Sequence, residues 1–487
     1  METSNVAEIQ SLDMLPRGSR IYFIGIGGIS MSGLALMAKG FGFEVGGSDM
    51  HLSERTRMLE EKGIKVFDKQ CRESIELFGA DYVVKTAAIL PKNPEVAYAL
   101  ENELPIFDRS EFLGLITRSY SKVINVAGTH GKTTTTAMLS MMMIEAEIDP
   151  TVHLGAELDA FGGTIRMGAD RKMLVSEACE FKRSFLEFRS TTAAITNVDH
   201  DHVDCYPTLE DVIDVFAKFI DKLVPGGNVV VTGRDKNLAK SISLAKNSGN
   251  EFNLYACVVE GDNIAANDFD NLEVSGVIEA CNVNFDKGTP CFDVKWLGKI
   301  VGHVELLIPG KHNVDNSLIA LASALLNGVP SDKAISALNK FTGADGRYEV
   351  KGKYKGATVV ADYAHHPAAA VATIDAASHM PHNKMWVVFQ PLTFNRTKML
   401  FEEYVEALKD CPKVIFDEIF TDREVDTLGV SSKHIADRIN SEGGDAEFYD
   451  DKQKIIDRLD ELVSEGDLVL ILGPEDIREL GDVLVKL

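Results

Sequence analysis

The chain has 487 residues, 45% hydrophobic and 25% charged, and a formal net charge of −24. That length predicts roughly three domains, each able to bury a core of its own. The acidic balance excludes a basic field for a nucleic-acid backbone or an anionic membrane surface. Any phosphate must therefore be held locally, by loops, lysines and metal.

The seven cysteines are scattered and form no CxxC pair. This excludes a zinc ribbon or a disulfide scaffold and fits a reducing cytoplasm. The N-terminus lacks a basic segment followed by an apolar one, so no signal peptide is expected. No apolar run reaches the ~18 residues of a membrane span. No internal repeat or low-complexity stretch interrupts the chain.

Residues 20–24 form the first apolar strand. It runs into Gly25-Ile-Gly-Gly-Ile-Ser-Met-Ser-Gly33, then a helical run over 34–40, then a second strand ending at Asp49. Strand, glycine-rich turn, helix, strand and an acid about twenty residues on is the order of a mononucleotide-binding βαβ unit. The third glycine position of G-x-G-x-x-G is Ser30. A dinucleotide is one ligand such a turn could take, and a pyrophosphate-bearing sugar nucleotide is another. A turn packed without ligand is the plain alternative. Short strands follow at 65–67, 82–85 and 104–107, and residues 114–122 read as a linker.

A second strand-to-helix turn is more specific. Val123 to Val126 is a buried strand, followed by Ala127, Gly128-Thr-His-Gly131, then Lys132-Thr133-Thr134 and an apolar helix. This is the context of a P-loop. Backbone N–H groups and the helix N-terminus face phosphate oxygens, a lysine reaches the terminal phosphates and a Thr hydroxyl ligates Mg²⁺. The full motif places four residues between its glycines. Here the outer position is Val126, so the motif is shortened.

Strands at 173–175 and 192–195 end in Glu177-Ala-Cys-Glu180 and in Asn197-Val-Asp-His-Asp-His202-Val-Asp204. Carboxyl ends of strands are where a doubly wound sheet binds ligands. Glu177 and His202 are candidate metal ligands there, although imidazole is an uncommon partner for Mg²⁺. Asp199, His200 and Asp204 read more simply as loop or cap residues. From about residue 250 to 308 the pattern becomes β-rich, as an excursion within the second domain. A helix then begins near His312, with Asn313 and Asn316 on one face of its first turn. Residues 341–349 read as a second connection. A third α/β block carries strands at 358–361, 385–390, 413–416 and 468–472. Asp362-Tyr-Ala-His365-His366-Pro367 and Phe389-Gln-Pro391-Leu392-Thr-Phe-Asn395-Arg396-Thr397 follow the first two, read as ligand-type loops at adjacent strand ends. The predicted domains are 1–118, 119–342 and 343–487. They give an α/β fold with a Rossmann-like N-terminal domain, a central P-loop ATPase and a Rossmann-like C-terminal domain.

Taken together, these motifs resemble the Mur ligase family along nearly the whole chain. The resemblance implies an N-terminal domain for a UDP-sugar, a central ATPase and a C-terminal domain closing over an amino acid. It implies an ATP- and Mg²⁺-dependent ligase joining an amino acid, L-alanine foremost, to the carboxylate of UDP-N-acetylmuramate through an acyl phosphate, in peptidoglycan precursor synthesis. By resemblance, Gly128, Thr129, His130, Gly131, Lys132, Thr133, Thr134, Asn313, Asn316, Arg347 and Asp362 bind ATP. Thr133, Glu177 and His202 hold Mg²⁺. Lys132, His202, Arg347 and His365 serve the phosphoryl transfer. Gly25, Gly27, Gly28, Ile29, Ser30, Asp49 and Thr86 bind the UDP-sugar. No nucleic-acid or membrane partner is expected.

The chain departs from the family pattern at several positions. A paired arginine is replaced by Gly346 before Arg347. Ala368 and Ala369 stand for Thr-Glu after His-His-Pro. Leu392 stands for a histidine after Gln-Pro, and Cys179 with Phe181-Lys182 alters an acid-rich run. These changes open two alternatives: a ligase that adds another amino acid or a peptide, and a nucleotide-binding relative without turnover.

Overall fold

The computed structural model describes residues 9–86, 89–203, 205–262, 272–285, 288–421, 424 and 427–487. Asp204 and the extreme N-terminus, both read above, lie outside them. Among the described residues the chain builds three sheets.

The first sheet is wholly parallel, in the order Lys65–Phe67, Glu44–Ser48, Arg20–Ile24, Tyr82–Lys85, Ile106–Asp108. Near-continuous apolar strands such as Arg20–Ile24 suit a sheet covered on both faces. The helix Ile29–Gly40 starts directly after Gly25-Ile-Gly-Gly28, with Gly25 at φ +80°. Gly47 has a role of its own, because a Cβ there would collide with the Phe23 carbonyl.

This block also buries a carboxyl group. Glu95 is fully buried and accepts hydrogen bonds from the Tyr22 hydroxyl at 2.7 Å and the Ser48 hydroxyl at 2.6 Å. Burial raises its pKa from 4.5 to about 7, against those two donors. The fold therefore favours its protonated form. The stability this brings is fully present below 4.5 and is lost as pH rises through about 7. Glu95→Gln should flatten that dependence. Between about pH 5 and about pH 8 the wild type should lose on the order of 1–3 kcal/mol relative to the variant. Melting curves of both proteins at the two pH values check it, and parallel curves would rule it out.

The second sheet has ten strands. The nucleotide-loop strand Lys122–Ala127 lies near its centre, between Ser190–Ile195 and Met173–Glu177, and pairs in parallel with both. The carboxyl ends of these three strands bring residues 128–131, 177–180 and 196–202 to one edge. The β-rich excursion expected within the second domain extends this sheet. Phe252–Val259 and Gly276–Asn284 continue the same sheet in parallel, and Cys291–Trp296 and Lys299–Glu305 finish it as antiparallel strands. Apolar residues alternating with polar ones along these strands cover one face only, which reads locally as an independent β unit.

The expected linker at 114–122 is not one. The helix Arg109–Arg118 runs through its first half, and Phe112, Leu113, Leu115 and Ile116 are buried. They belong to a core cluster that continues through Phe185, Phe216 and Phe219 of the second block. Gly114 permits this approach, since a Cβ there would lie 2.5 Å from the Glu187 carbonyl oxygen. The first two blocks thus share a core, contrary to the expectation of one core each.

The third sheet runs Glu349–Tyr354, Ala357–Asp362, Leu468–Leu472, Met385–Phe389, Val414–Phe416, Ala446–Phe448. The last strand in sequence is thus central. It separates Ala357–Asp362 from Met385–Phe389, so the two loops expected at adjacent strand ends are one strand further apart. Ala369 lies in the helix Pro367–Ser378, whose N-cap is His366.

Candidate active site

The loop after Lys122–Ala127 is closed by short-range contacts that need glycine. Gly128 has φ +131° and Gly131 φ +82°. A Cβ at Gly128 would overlap the Thr196 hydroxyl, and one at Gly131 would lie 2.5 Å from the Asn316 amide oxygen. Asn197 fixes the loop from the neighbouring strand. Its side-chain oxygen accepts the His130 N–H at 2.8 Å, and its amide donates to the His130 carbonyl at 3.0 Å. The helix Lys132–Glu145 then begins with no side-chain cap. Its first N–H groups and its dipole are left for an anion.

Lys132 folds back into this loop. Its ammonium donates to the carbonyls of Gly128 and of Thr129, the latter at 3.1 Å, and to Glu180 at 3.1 Å. Burial works against this charge, but the facing Glu180 carboxylate outweighs it and holds the pKa above the ordinary value. Glu180 is only 2% exposed and also lies 3.7 Å from His202 Nε2. His202, at φ +50°, has its pKa lowered chiefly by burial, so its imidazole is neutral and free to act as a ligand.

The expected cation set is rearranged in one respect. Among the described residues, His202 gathers with Cys179 and Glu180, their ligand atoms lying within 4.8 Å of one another. Glu177 instead accepts the Gly155 N–H at 2.7 Å. Glu180 supplies the hard oxygen donor that Mg²⁺ takes, and Glu177 joins it in acting on the Lys132 charge. A second group, His130, Asp199 and His366, has the same spread. There the Asp199 pKa is pushed down to about 2, chiefly by its hydrogen bond to His130.

Asn313 and Asn316 are both buried, and the Asn316 amide donates to the Asn313 side chain at 3.0 Å. Neither caps the helix His312–Leu326, whose N-cap is Lys311. Asn316 lies against the loop at Gly131, and Asn313 holds Asn316 in place.

The third block reaches this edge. The Arg347 guanidinium donates to the Thr133 hydroxyl at 3.3 Å and lies 4.9 Å from the Tyr363 ring centroid. Asp362, expected at the nucleotide, instead spends its oxygens on the N–H groups of Tyr348 and Ala364, both at 3.0 Å. Burial raises its pKa. His365 Nδ1 lies 2.8 Å from the Tyr363 carbonyl oxygen, and burial, reinforced by Arg396, drives its pKa well below the usual value. Leu392 is half-buried, its backbone bridged to Phe420.

In the first block, Asp49 accepts the Gly27 N–H at 2.8 Å and the His51 N–H at 3.0 Å. It ties the turn to the second strand. Ser30 accepts a hydrogen bond from Arg109 at 3.2 Å. Arg109 had no signal in the sequence: it lies 79 residues from Ser30 and starts an ordinary amphipathic helix. Thr86 follows the strand Tyr82–Lys85 at the same edge and accepts the Ile89 N–H through its carbonyl. Arg396 belongs to an expected ligand-type loop, but its partner had no signal in the sequence. Its guanidinium grips Asp201 at 2.7 Å and 3.0 Å across the boundary between the second and third blocks, with both side chains buried.

Three α/β blocks around a phosphate loop, with an arginine of the third block brought to the loop of the second, define a P-loop nucleotide-binding protein of three domains. The family models agree block by block: Mur ligase family, catalytic domain, at residues 20–121; Mur ligase middle domain at 126–324; and Mur ligase, glutamate ligase domain, at 346–474. The chain belongs to the Mur ligase family. The UDP-N-acetylmuramate–L-alanine ligase of Caldanaerobacter subterraneus is 42% identical over 97% of this chain and 98% of its own. The enzyme of that name from Acetivibrio thermocellus is 38% identical, over 96% and 95%. The solved UDP-N-acetylmuramate–alanine ligase of Thermotoga maritima superposes with a TM-score of 0.75 at 26% identity, over 96% of this chain and 98% of that one.

Proposed function

We propose that this chain joins L-alanine to the carboxylate of UDP-N-acetylmuramate at the expense of ATP. The relatives of that name support it, since they align from end to end. The observation that carries it is the convergence on Thr133. Thr133 lies in the first turn of the uncapped helix and takes the Arg347 guanidinium of the third block, while the Lys132 ammonium of the same turn lies on the loop carbonyls of Gly128 and Thr129.

Lys132 leaves the loop carbonyls for the terminal phosphate of ATP and neutralises charge as the sugar carboxylate attacks it. Arg347 bridges the phosphates and the third block, so that the acyl phosphate forms in a closed site. The neutral His202 and the adjoining Glu180, with Glu177 and Thr133, would hold Mg²⁺, which supplies further neutralisation of phosphate charge when bound. His365, kept uncharged by burial, stays near the transfer without adding repulsion to the positive groups. The amine of alanine then attacks the acyl carbon and phosphate leaves. Catalysis of this kind is mainly positioning and electrostatics. The turn at residues 25–30, with Asp49 and Thr86, takes the UDP pyrophosphate. We assign residues 1–118 to the UDP-sugar, 119–342 to ATP and 343–487 to the amino acid.

Phosphate release with ATP, Mg²⁺ and UDP-N-acetylmuramate, measured across a panel of amino acids, tests this reading. Release without any amino-acid dependence would refute it. Leu392 adds a sharper expectation. An apolar side chain in place of a polar one leaves the substrate's charged group less well paired, at a cost of about 1–3 kcal/mol. The KM for alanine should be raised, and Leu392→His should lower it by about ten-fold while the KM for ATP stays put. A variant with an unchanged alanine KM would show that Leu392 does not face the amino acid.

A further inference from the structure

Arg478 is unaccounted for by this machinery. It lies on the C-terminal helix Glu475–Leu484 with its side chain only 9% exposed. Its Nε is buried and has no hydrogen-bond partner. The acid nearest to it is Asp345, at 3.7 Å and 45% exposed. A buried guanidinium normally has close, charged partners, because leaving its donors unmet is costly. The position is built to take it. The guanidinium lies across Gly346, where any Cβ would overlap it, and Gly346 has φ +62°. Residue 346 thus gives up a side chain and Arg478 fills the space.

Its neighbour is the arginine already at the site. Arg347 lies 4.9 Å and Arg478 5.7 Å from the centroid of one ring, Tyr363. Arg347 in turn reaches Thr133, in the first turn of the loop helix. Two guanidinium groups on one ring repel each other unless they share an anion. Planar forks suit phosphate oxygens, which they can engage through paired donors.

We propose that Arg478 is a second phosphate-binding arginine, which shares the Tyr363 ring with Arg347 and engages the terminal phosphates of the bound nucleotide. This rests on the loop at residues 128–134 being the nucleotide site. Arg478 enters from the last helix of the chain, about 130 residues away from its partner, so only the fold pairs them.

The test uses the 487-residue chain and Arg478→Met, which keeps most of the side chain's bulk. Calorimetric titration with Mg²⁺-ATP, Mg²⁺-ADP and UDP-N-acetylmuramate is read beside a melting curve. We expect ATP to bind about ten-fold more weakly to Arg478→Met, ADP to be affected less and the UDP-sugar to be unchanged. Arg478→Lys should fall between, because it keeps the charge and loses the fork. Wild-type ATP affinity in a folded Arg478→Met overturns the proposal. So does equal weakening of ATP and the UDP-sugar alongside a lowered melting temperature, the mark of a purely structural role. If the wild type binds no ATP, the nucleotide reading itself falls, and this proposal with it.

Discussion

Replacing Lys132 with alanine should lower ATP-dependent phosphate release by about 10²–10³-fold or more. The lysine is the cation of the second block that lies inside the loop, and its pKa is held up by Glu180, so it is charged throughout the neutral range. In the structure it satisfies the Gly128 and Thr129 carbonyls. With nucleotide present, those weak acceptors compete poorly with a polyphosphate. Charge then accumulates on the transferred phosphoryl oxygens where the ammonium is. Lys132→Arg should fail almost as badly, because a planar fork does not fit a pocket made for a point charge between two carbonyls. Lys132→Ala also leaves Glu180 buried beside His202 without its cation, so a stability check belongs with the assay. Single-turnover phosphate release from folded variants decides the matter. Near-normal rates in Lys132→Ala would remove the loop from the chemistry.

Much of this site could be read along the chain because its parts are local. Gly128 to Thr134 are contiguous, and the strand before and helix after them follow from apolar periodicity. Asn313 and Asn316 were legible as one face of a helix, though the contact of Asn316 with the loop at Gly131 was not. What the sequence could not disclose are the pairings made by folding. Arg478 meets Gly346, Arg396 meets Asp201 and Arg109 meets Ser30, each across tens of residues or more. The shared core was hidden for a similar reason. Leu113, Leu115 and Ile116 look like an ordinary helix stripe, and nothing local says that Phe185 and Phe219 cover it. The order of the third sheet was hidden too, because the last strand enters the middle. Glu180 was in view, but its motif position drew attention to Glu177. Only geometry sets Glu180 between Lys132 and His202.

Arg396 is where losing one side chain should cost the fold most. Burial alone would lift the Asp201 pKa, yet the adjoining Arg396 guanidinium holds it well below the usual carboxylate range. Removing one partner of such a buried pair strands the other charge, typically at about 3–5 kcal/mol, whereas removing both costs far less. Arg396→Met should therefore be strongly destabilised, and adding Asp201→Asn should recover much of the loss. The pH dependence should also change sign. In the wild type the depressed Asp201 pKa contributes stability that is present above the ordinary value of 3.8 and lost as pH falls through the folded value. Without Arg396, burial acts to raise that pKa, so the single variant should weaken as pH rises above the ordinary carboxylate value of 3.8. The pair spans the second and third blocks, next to His202, and its loss should free the third block from the second. Limited proteolysis should cut Arg396→Met between residues 341 and 349 under conditions that leave the wild type intact. Melting curves of the wild type, both single variants and the double variant complete a double-mutant cycle. A coupling near zero, or a single variant more stable at high pH than at low, would show that Asp201 has another partner and that the two blocks are held elsewhere.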